Sequence, residues 1–428
     1  MASENDMQRF TPEWAAAWQH ALNTSPDYAN SARKWKGPLV LRAVGLVNWW
    51  LDLEAGHCSG IRAVPDGEVR NADTVLAASE ADWNRVLDGE VAPLVAIMQG
   101  VIKLEKGSML RLSRFSKAAS DMMDLAMRLE GPVPAEAPDP GFAPQPPPAV
   151  HTSFRTTTAG LDQDSLPMQL YHKAKKLGIW DPMDLDLRAD RADWVRLSEE
   201  EQDVLVRLLA MFQAGEEAVT LDLLPLIRVV AREGRIEEEM YLTTFLFEEA
   251  KHTEFFRRVF DEVVMRRDDL SGYHTPSYRA LFYEALPTAL SRLDTDASAA
   301  AQLQASATYN MVVEGTLAET GYHAFYTVLE SRGIMPGVTE GIRLLQRDES
   351  RHIAYGIHLI TRLIRANPGL MGVLQSTMAA LIPVASATIT ELFACYDPMP
   401  FDLKEEDFLQ FAMDQFGKRM RRIEALEV

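Results

Sequence analysis

The sequence predicts a two-domain protein: a small α/β domain over residues 1–130, then an all-α helical bundle over residues 152–428. Three observations carry that expectation. Between the two, residues 131–150 hold eight prolines in twenty positions, Pro146, Pro147 and Pro148 in a row. Such a run favours extended polyproline backbone and cannot build a core, so 131–151 reads as a semi-stiff spacer. Before it, helical patterns alternate with short runs rich in β-branched and aromatic residues. After it, helical periodicity continues over stretches far longer than the about 11–12 residues of an ordinary helix.

In the first domain, residues 10–22 read as an amphipathic helix with Trp14 and Trp18 on one face. Residues 39–53 combine β-branched and aromatic residues with partial alternation and predict one or two strands. A further strand is expected over 69–78, a short helix over 81–87 that ends near Gly89, and a helix over 92–101. Strands near Leu104 and over 109–112 and a helix over 116–129 complete it. His57 and Cys58 lie between Gly56 and Gly60 and read as part of a turn with no chemical role. This order, together with Ala81-Asp82-Trp83, Leu87-Asp88-Gly89, Pro93, Ala96, Gly100 and Lys103-Leu104, resembles a sterol carrier protein type domain. The resemblance implies an α/β layer around an apolar tunnel for lipids or acyl chains.

In the second domain a long helix is expected over 198–232, opened by a Ser198/Glu201 capping box and stopped at Gly234. Further helices are expected over 236–265, 277–293, 297–331, 338–366 with Pro368 as the stop, 370–394 and 405–425. Residues 367–390 carry no charge, but Gln375, Ser376, Thr377, Pro383, Ser386 and Thr388 dilute them, which favours a buried bundle helix pair over a membrane span.

The same region repeats one phrase. Glu249-Ala250-Lys251-His252 and Glu349-Ser350-Arg351-His352 each follow a solitary glutamate, Glu216 and Glu314, by 33 and 35 residues. Residues three apart on a helix leave the same face, so the Glu and His of each phrase can grip one ion. Their neighbours are apolar, Phe245, Leu246, Phe247 and Ala250 on one helix and Ile353, Ala354 and Tyr355 on the other, and carboxylates in such surroundings need partners. Glu, Glu-x-x-His, Glu, Glu-x-x-His is the ligand set of a ferritin-like four-helix-bundle dimetal site. Four carboxylates and two imidazoles suit iron and manganese rather than a thiolate zinc site. Two ions sharing carboxylates at about 3.5–4 Å can deliver electrons together to one oxygen molecule, whereas hydrolysis would need a separate general base that no motif offers.

Residues 152 to about 425 resemble the ligand-binding oxidases related to the ribonucleotide reductase small subunit. The resemblance rests on Gly178-Ile-Trp-Asp-Pro182, Ala214-Gly-Glu-Glu-Ala-Val-Thr220, Phe247-Glu-Glu-Ala-Lys-His-Thr-Glu-Phe-Phe256 and Arg347-Asp-Glu-Ser-Arg-His-Ile-Ala-Tyr-Gly356. It implies manganese at Glu216, Glu249 and His252 and iron at Glu314, Glu349 and His352, or two irons, with oxygen as oxidant. Glu217 then points elsewhere. It also implies an ether link between Val219 and Tyr309, and Asp348 as the acceptor that fixes a ligand imidazole. Val219, three after Glu216, stays beside the metal, but Tyr309 and Glu314 are about 140° apart on a regular helix and meet one cavity more easily through a π-type turn. Phe212, Phe245, Leu246, Met311 and Val312 are candidates for the wall of an apolar pocket. The reaction expected is a two-electron oxidation of a fatty-acid-like or other hydrophobic molecule. Two alternatives stay open: a lipid-binding or sensing protein whose metal site reacts once, and a reductase radical subunit. The reductase resemblance would place a radical tyrosine four after the first histidine, where Phe256 stands, and a tyrosine-bearing tail where 421–428 reads as a helix; both weaken that alternative without removing it.

The net charge of −19 argues against nucleic acid and anionic membranes as partners. The basic run 417–422 reads as a helix end. Cys58 and Cys395, assigned to different domains, form no disulfide framework, in keeping with a reducing cytoplasm, and the acidic start shows no secretory signal. A long-chain fatty acid or similar small molecule is the expected partner and a homodimer the expected assembly; no motif identifies the electron donor.

Overall fold

The computed structural model describes residues 9–425 except 90, 92, 99, 109–110, 113–114 and 131–152, so the proline-rich spacer lies outside the described residues. Two compact units are formed, Met1–Asp139 with Gly372–Ser386, and Pro140–Met371 with Ala387–Val428.

The first unit holds a five-stranded sheet of order β3-β2-β1-β4-β5. Its strands are β1 (Leu39–Ala43), β2 (Val47–Glu54), β3 (His57–Ala63), β4 (Thr74–Ala78) and β5 (Lys103–Lys106). Residues 39–53 do split into two strands, which pair antiparallel, while β1 and β4 run parallel in the middle of the sheet. His57 and Cys58 correct the sequence reading. The β2–β3 turn is Ala55-Gly56, both at positive φ, and His57 and Cys58 already belong to β3, pairing with Glu54 and Leu53. Val69 closes a short helix, Asp66–Val69, so the strand expected from 69 begins at Thr74. Of the strand expected over 109–112, Met109 and Leu110 lie outside the described residues, and Arg111 and Leu112 are helical. Helices Pro12–Thr24, Glu80–Leu87, Pro93–Met98 and Ser116–Met127 accompany the sheet. An apolar pocket enclosing about 630 Å³ of empty space, part of it open to solvent, bounded by residues that include Tyr28, Trp35, Leu39, Trp83, Ile97 and Met122, lies within this unit.

The second unit is helical. Helix Glu199–Asp222 opens on the expected capping box, with Glu201 N–H donating to Ser198 Oγ and Ser198 N–H donating to Glu201 Oε2. It ends earlier than the sequence suggests. Pro225 lacks the N–H that a continuing helix would use, and a new helix, Leu224–Arg232, begins there. Helix Ile236–Arg258 continues into a π segment, Val259–Val264. The third long run combines Ala299–Ser306, a π segment Ala307–Ala318, Glu319–Phe325 and a second π segment Tyr326–Glu330. The fourth is Pro336–Ala366; buried Asp190 holds its first turn by accepting from Gly337 N–H at 3.1 Å and Val338 N–H at 2.6 Å. The sequence reading missed helices Leu166–Leu177 and Arg188–Trp194, which pack on these members.

Phe255, Phe256, Tyr322, Phe325, Ile342 and Leu345 form part of one core cluster in this unit. Burying an apolar side chain of that size stabilises by about 1.5–3 kcal/mol. Residues 371–393 form one continuous helix through Pro383 rather than a helix pair. Among the described residues, Pro368–Phe393 is the one helix long and apolar enough to cross a membrane, and 39% of its most apolar window is buried. It is therefore less buried than the sequence suggests.

Candidate metal centre

Glu216, Glu249, His252, Glu314, Glu349 and His352 come from four different helical runs, and all six are buried. Two overlapping groups form, Glu216, Glu249, His252 and Glu349, and Glu249, Glu314, Glu349 and His352; ligand atoms within each lie within 4.8 Å of one another. His252 Nδ1 is 3.5 Å from Glu216 Oε2, 3.5 Å from Glu249 Oε2 and 3.4 Å from Glu349 Oε1. His352 Nδ1 is 3.1 Å from Glu249 Oε1, 3.3 Å from Glu349 Oε2 and 3.6 Å from Glu314 Oε1. Glu249 and Glu349 thus each offer one oxygen to each histidine. Two donors about 2.1 Å from a common ion and about 100–118° apart would stand about 3.2–3.6 Å from each other, close to the 3.1–3.6 Å found.

The polar accounting points the same way. Glu249 Oε2, His252 Nδ1, Glu314 Oε1, Glu349 Oε2 and His352 Nδ1 are buried and make no hydrogen bond, a costly state unless a cation completes them. Burial, with Glu349 nearby, pushes the Glu314 carboxyl up to about 8, and burial raises Glu216 well above the carboxylate range. Burial disfavours charge on His252 and His352 too, but the surrounding carboxylates outweigh it and hold both imidazoles well above their ordinary value. The protein without ions must keep protons here that a pair of cations would displace.

A second layer orients the histidines. His352 Nε2 donates to Glu248 Oε2 at 2.9 Å, and His252 Nε2 faces Asp348 Oδ2 at 3.4 Å, leaving each Nδ1 directed at the centre. Asp348 also accepts from Trp180 Nε1 at 2.8 Å and Lys251 Nζ at 3.0 Å. Arg351 joins the two acids, 2.6 Å from Glu248 Oε1 and 2.5 Å from Asp348 Oδ1. Gly178 makes room for this layer, since a Cβ there would sit 1.9 Å from Glu248 Oε1. The sequence reading found Asp348 and missed Glu248. The signal was the match between Glu248-Glu249-Ala250-Lys251-His252 and Asp348-Glu349-Ser350-Arg351-His352: acid, ligand, small residue, cation, ligand in both.

Tyr309 and Glu314 both lie in the π segment Ala307–Ala318, the kind of turn that their spacing favoured. The buried Tyr309 hydroxyl donates to Glu249 Oε1 at 2.8 Å. Asn310 Nδ2 donates to Glu314 Oε2 at 2.8 Å and so steadies that carboxylate. Glu217 is exposed.

A cavity enclosing about 1070 Å³ of empty space, part of it open to solvent, reaches Glu216, Glu249, Glu314 and Glu349 and has Val219 on its wall. The remaining wall is largely apolar, with Leu208, Phe212, Phe282, Leu317, Ile389 and Phe393. Of the five expected pocket residues only Phe212 lines it. Phe245 stacks on His352 instead, and Val313 and Leu317 present themselves where Met311 and Val312 were expected.

The ribonucleotide reductase, small chain family matches residues 164–423. The chain belongs to the ribonucleotide reductase small chain family. Among solved structures, it is similar to an R2-like ligand-binding oxidase with aerobically reconstituted Mn/Fe cofactor after a long soak, at 37% identity and a TM-score of 0.62, covering 64% of this chain and 98% of that one. The R2-like ligand-binding oxidase with its metal cofactor after photoconversion matches at the same identity, TM-score and coverage. Residues 18–120 match the SCP-2 sterol transfer family. Phe256 is buried and stacks on Phe212 with centroids 5.0 Å apart.

Proposed function

We propose that the protein is an oxygen-dependent oxidase with a dinuclear site, acting by two-electron oxidation on a fatty-acid-like or similar apolar ligand held in the cavity beside that site. Glu216 and His252 would hold one ion and Glu314 and His352 the other, with Glu249 and Glu349 available to both. By the oxidase resemblance the first position takes manganese and the second iron, or both take iron. The observation that carries the reading is the cavity itself, an apolar chamber whose metal-side wall is four carboxylates. A bound metal pair supplies electrons to oxygen and the oxidising power needed at a C–H bond.

The chain's own residues do the rest. Apolar walls align a hydrocarbon chain and keep water away from the reacting end. Tyr309 holds its proton against Glu249 Oε1, so loss of hydrogen from the phenol has a carboxylate ready to receive the proton. With Val219 on the wall, we infer that an ether forms between Val219 and the Tyr309 oxygen, each giving up one hydrogen as oxygen is reduced. We further infer three segments, a lipid-binding 1–130, a spacer 131–151 and the oxidase 152–428, with the first holding the same class of ligand as the third.

Oxygen uptake by the metal-loaded protein, with and without a long-chain fatty acid, tests the reading. Repeated uptake that depends on the added acid supports it. One equivalent of oxygen per site, with the Val219–Tyr309 link as the only product, would instead make this a lipid-binding protein whose site reacts once.

A further inference from the structure

His352 is the first member of a line of neighbouring rings leading away from the site. Its imidazole lies flat on Phe245, centroids 3.6 Å apart and planes within 9°. Phe245 meets Tyr241 edge-on at 6.0 Å, and Tyr241 meets Tyr355 at 5.2 Å. All four rings are fully buried.

The two phenols differ in one respect. The Tyr241 hydroxyl has no hydrogen-bond partner among the described residues. The Tyr355 hydroxyl donates to Glu238 Oε2 at 3.1 Å. Glu238 is itself buried and is anchored by Arg362, 3.3 Å from each of its oxygens, and by Arg235 at 3.6 Å, whose side chain is 42% exposed. Taking an electron from a phenol that keeps its proton would leave a buried positive charge, which is expensive. Taking the electron while the proton moves to a hydrogen-bonded base leaves a neutral radical. Tyr355 has that base and Tyr241 does not.

We propose that Tyr355 is a second redox site, a one-electron donor to the oxidised metal pair; this rests on the oxidase reading above. The Tyr355 O–H bond breaks, its proton passes to Glu238 Oε2, and its electron passes through the Tyr241 and Phe245 rings to the metal pair beside His352, which is reduced by one electron. A neutral tyrosyl radical remains. One electron from an external one-electron reductant and the returning proton restore the phenol. His358, partly exposed with its ring 6.3 Å from Tyr355, and Arg235 lie at the outer end of this route. When the cavity holds no oxidisable ligand, oxidising equivalents leave by Tyr355 instead of attacking the side chains that line the site.

The test uses the full-length protein loaded without oxygen with Mn(II) and Fe(II), free of added lipid, then mixed with oxygenated buffer and frozen at short times for electron paramagnetic resonance. Oxygen uptake is followed in parallel. The expected result is an organic radical whose spectrum narrows when the tyrosines carry ring deuterium. It persists in Tyr241→Phe, which keeps the ring, and falls roughly tenfold or more in Tyr355→Phe and in Glu238→Gln, which lacks the proton acceptor. Oxygen uptake continues in all three variants. An undiminished signal in Tyr355→Phe, or oxygen uptake by the unaltered protein with no tyrosine radical, overturns the proposal and leaves the oxidase reading standing. Absence of oxygen uptake overturns both.

Discussion

His352 donates a hydrogen bond from Nε2 to Glu248 Oε2 at 2.9 Å although the two residues are 104 positions apart in sequence. The opposite pairing, His252 Nε2 with Asp348 Oδ2 at 3.4 Å, spans 96 positions. Each phrase therefore supplies ligands to the centre and an acid that orients the histidine of the other phrase. Glu248→Ala removes one of these supports without removing a ligand. It is expected to weaken metal binding about 10–100-fold, read by calorimetric titration, with Glu248→Asp intermediate.

Gly178 is expected to be intolerant of even a methyl group. The added carbon would meet Glu248 Oε1 at 1.9 Å and Ala174 O at 3.0 Å, so Gly178→Ala must displace the carboxylate that holds His352. A cost of about 1–3 kcal/mol is expected, seen as a lower Tm together with poorer metal retention. An unchanged Tm with full metal content would contradict the packing described.

Metal uptake should release protons. Burial raises Glu314 to about 8, so below that pH the ion-free protein keeps a proton there that binding must expel. The sign follows: apparent affinity rises with pH, by about tenfold per unit for each proton released, and the Glu314 contribution flattens once pH passes about 8. Metal titrations in two buffers of different ionisation enthalpy, at about pH 6 and pH 8, count the protons directly.

Cavity and metal site separate by mutation. Ala324 lines the chamber and is not among the metal-binding cluster. Ala324→Trp should reduce turnover of a long-chain substrate while leaving metal content unchanged. Val219→Ala and Tyr309→Phe should each prevent the loss of two hydrogens that intact-mass measurement would detect after exposure of the loaded protein to oxygen.

Glu249, His252, Glu349 and His352 were legible in the sequence because Glu-x-x-His acts through local helix geometry that survives any packing arrangement, and Glu216 and Glu314 because each precedes its phrase by a similar interval, 33 and 35 residues. The π segment was legible for a related reason, since a regular helix would have kept Tyr309 and Glu314 on different faces. Glu248 was not, because its partner lies across the bundle and only the frame-by-frame match of the two phrases announced it. Strand β3 was hidden because His57-Cys58-Ser59-Gly60 is polar and glycine-bearing, and pairing with β2 rather than propensity makes it a strand. Helix Leu166–Leu177 was missed because its buried side, Pro167, Met168, Leu170 and Ala174, is short and weakly apolar. The break before Leu224 depended on Pro225, which the long apolar run around it obscured.

The central claim is that Glu216, Glu249, His252, Glu314, Glu349 and His352 together hold two ions. Anomalous diffraction at the manganese and iron edges from crystals of the metal-loaded protein tests it most directly. The account predicts two peaks per chain, one beside Glu216 and His252 and the other beside Glu314 and His352, with Glu249 and Glu349 reaching both. A single peak, or peaks away from these six side chains, would contradict it.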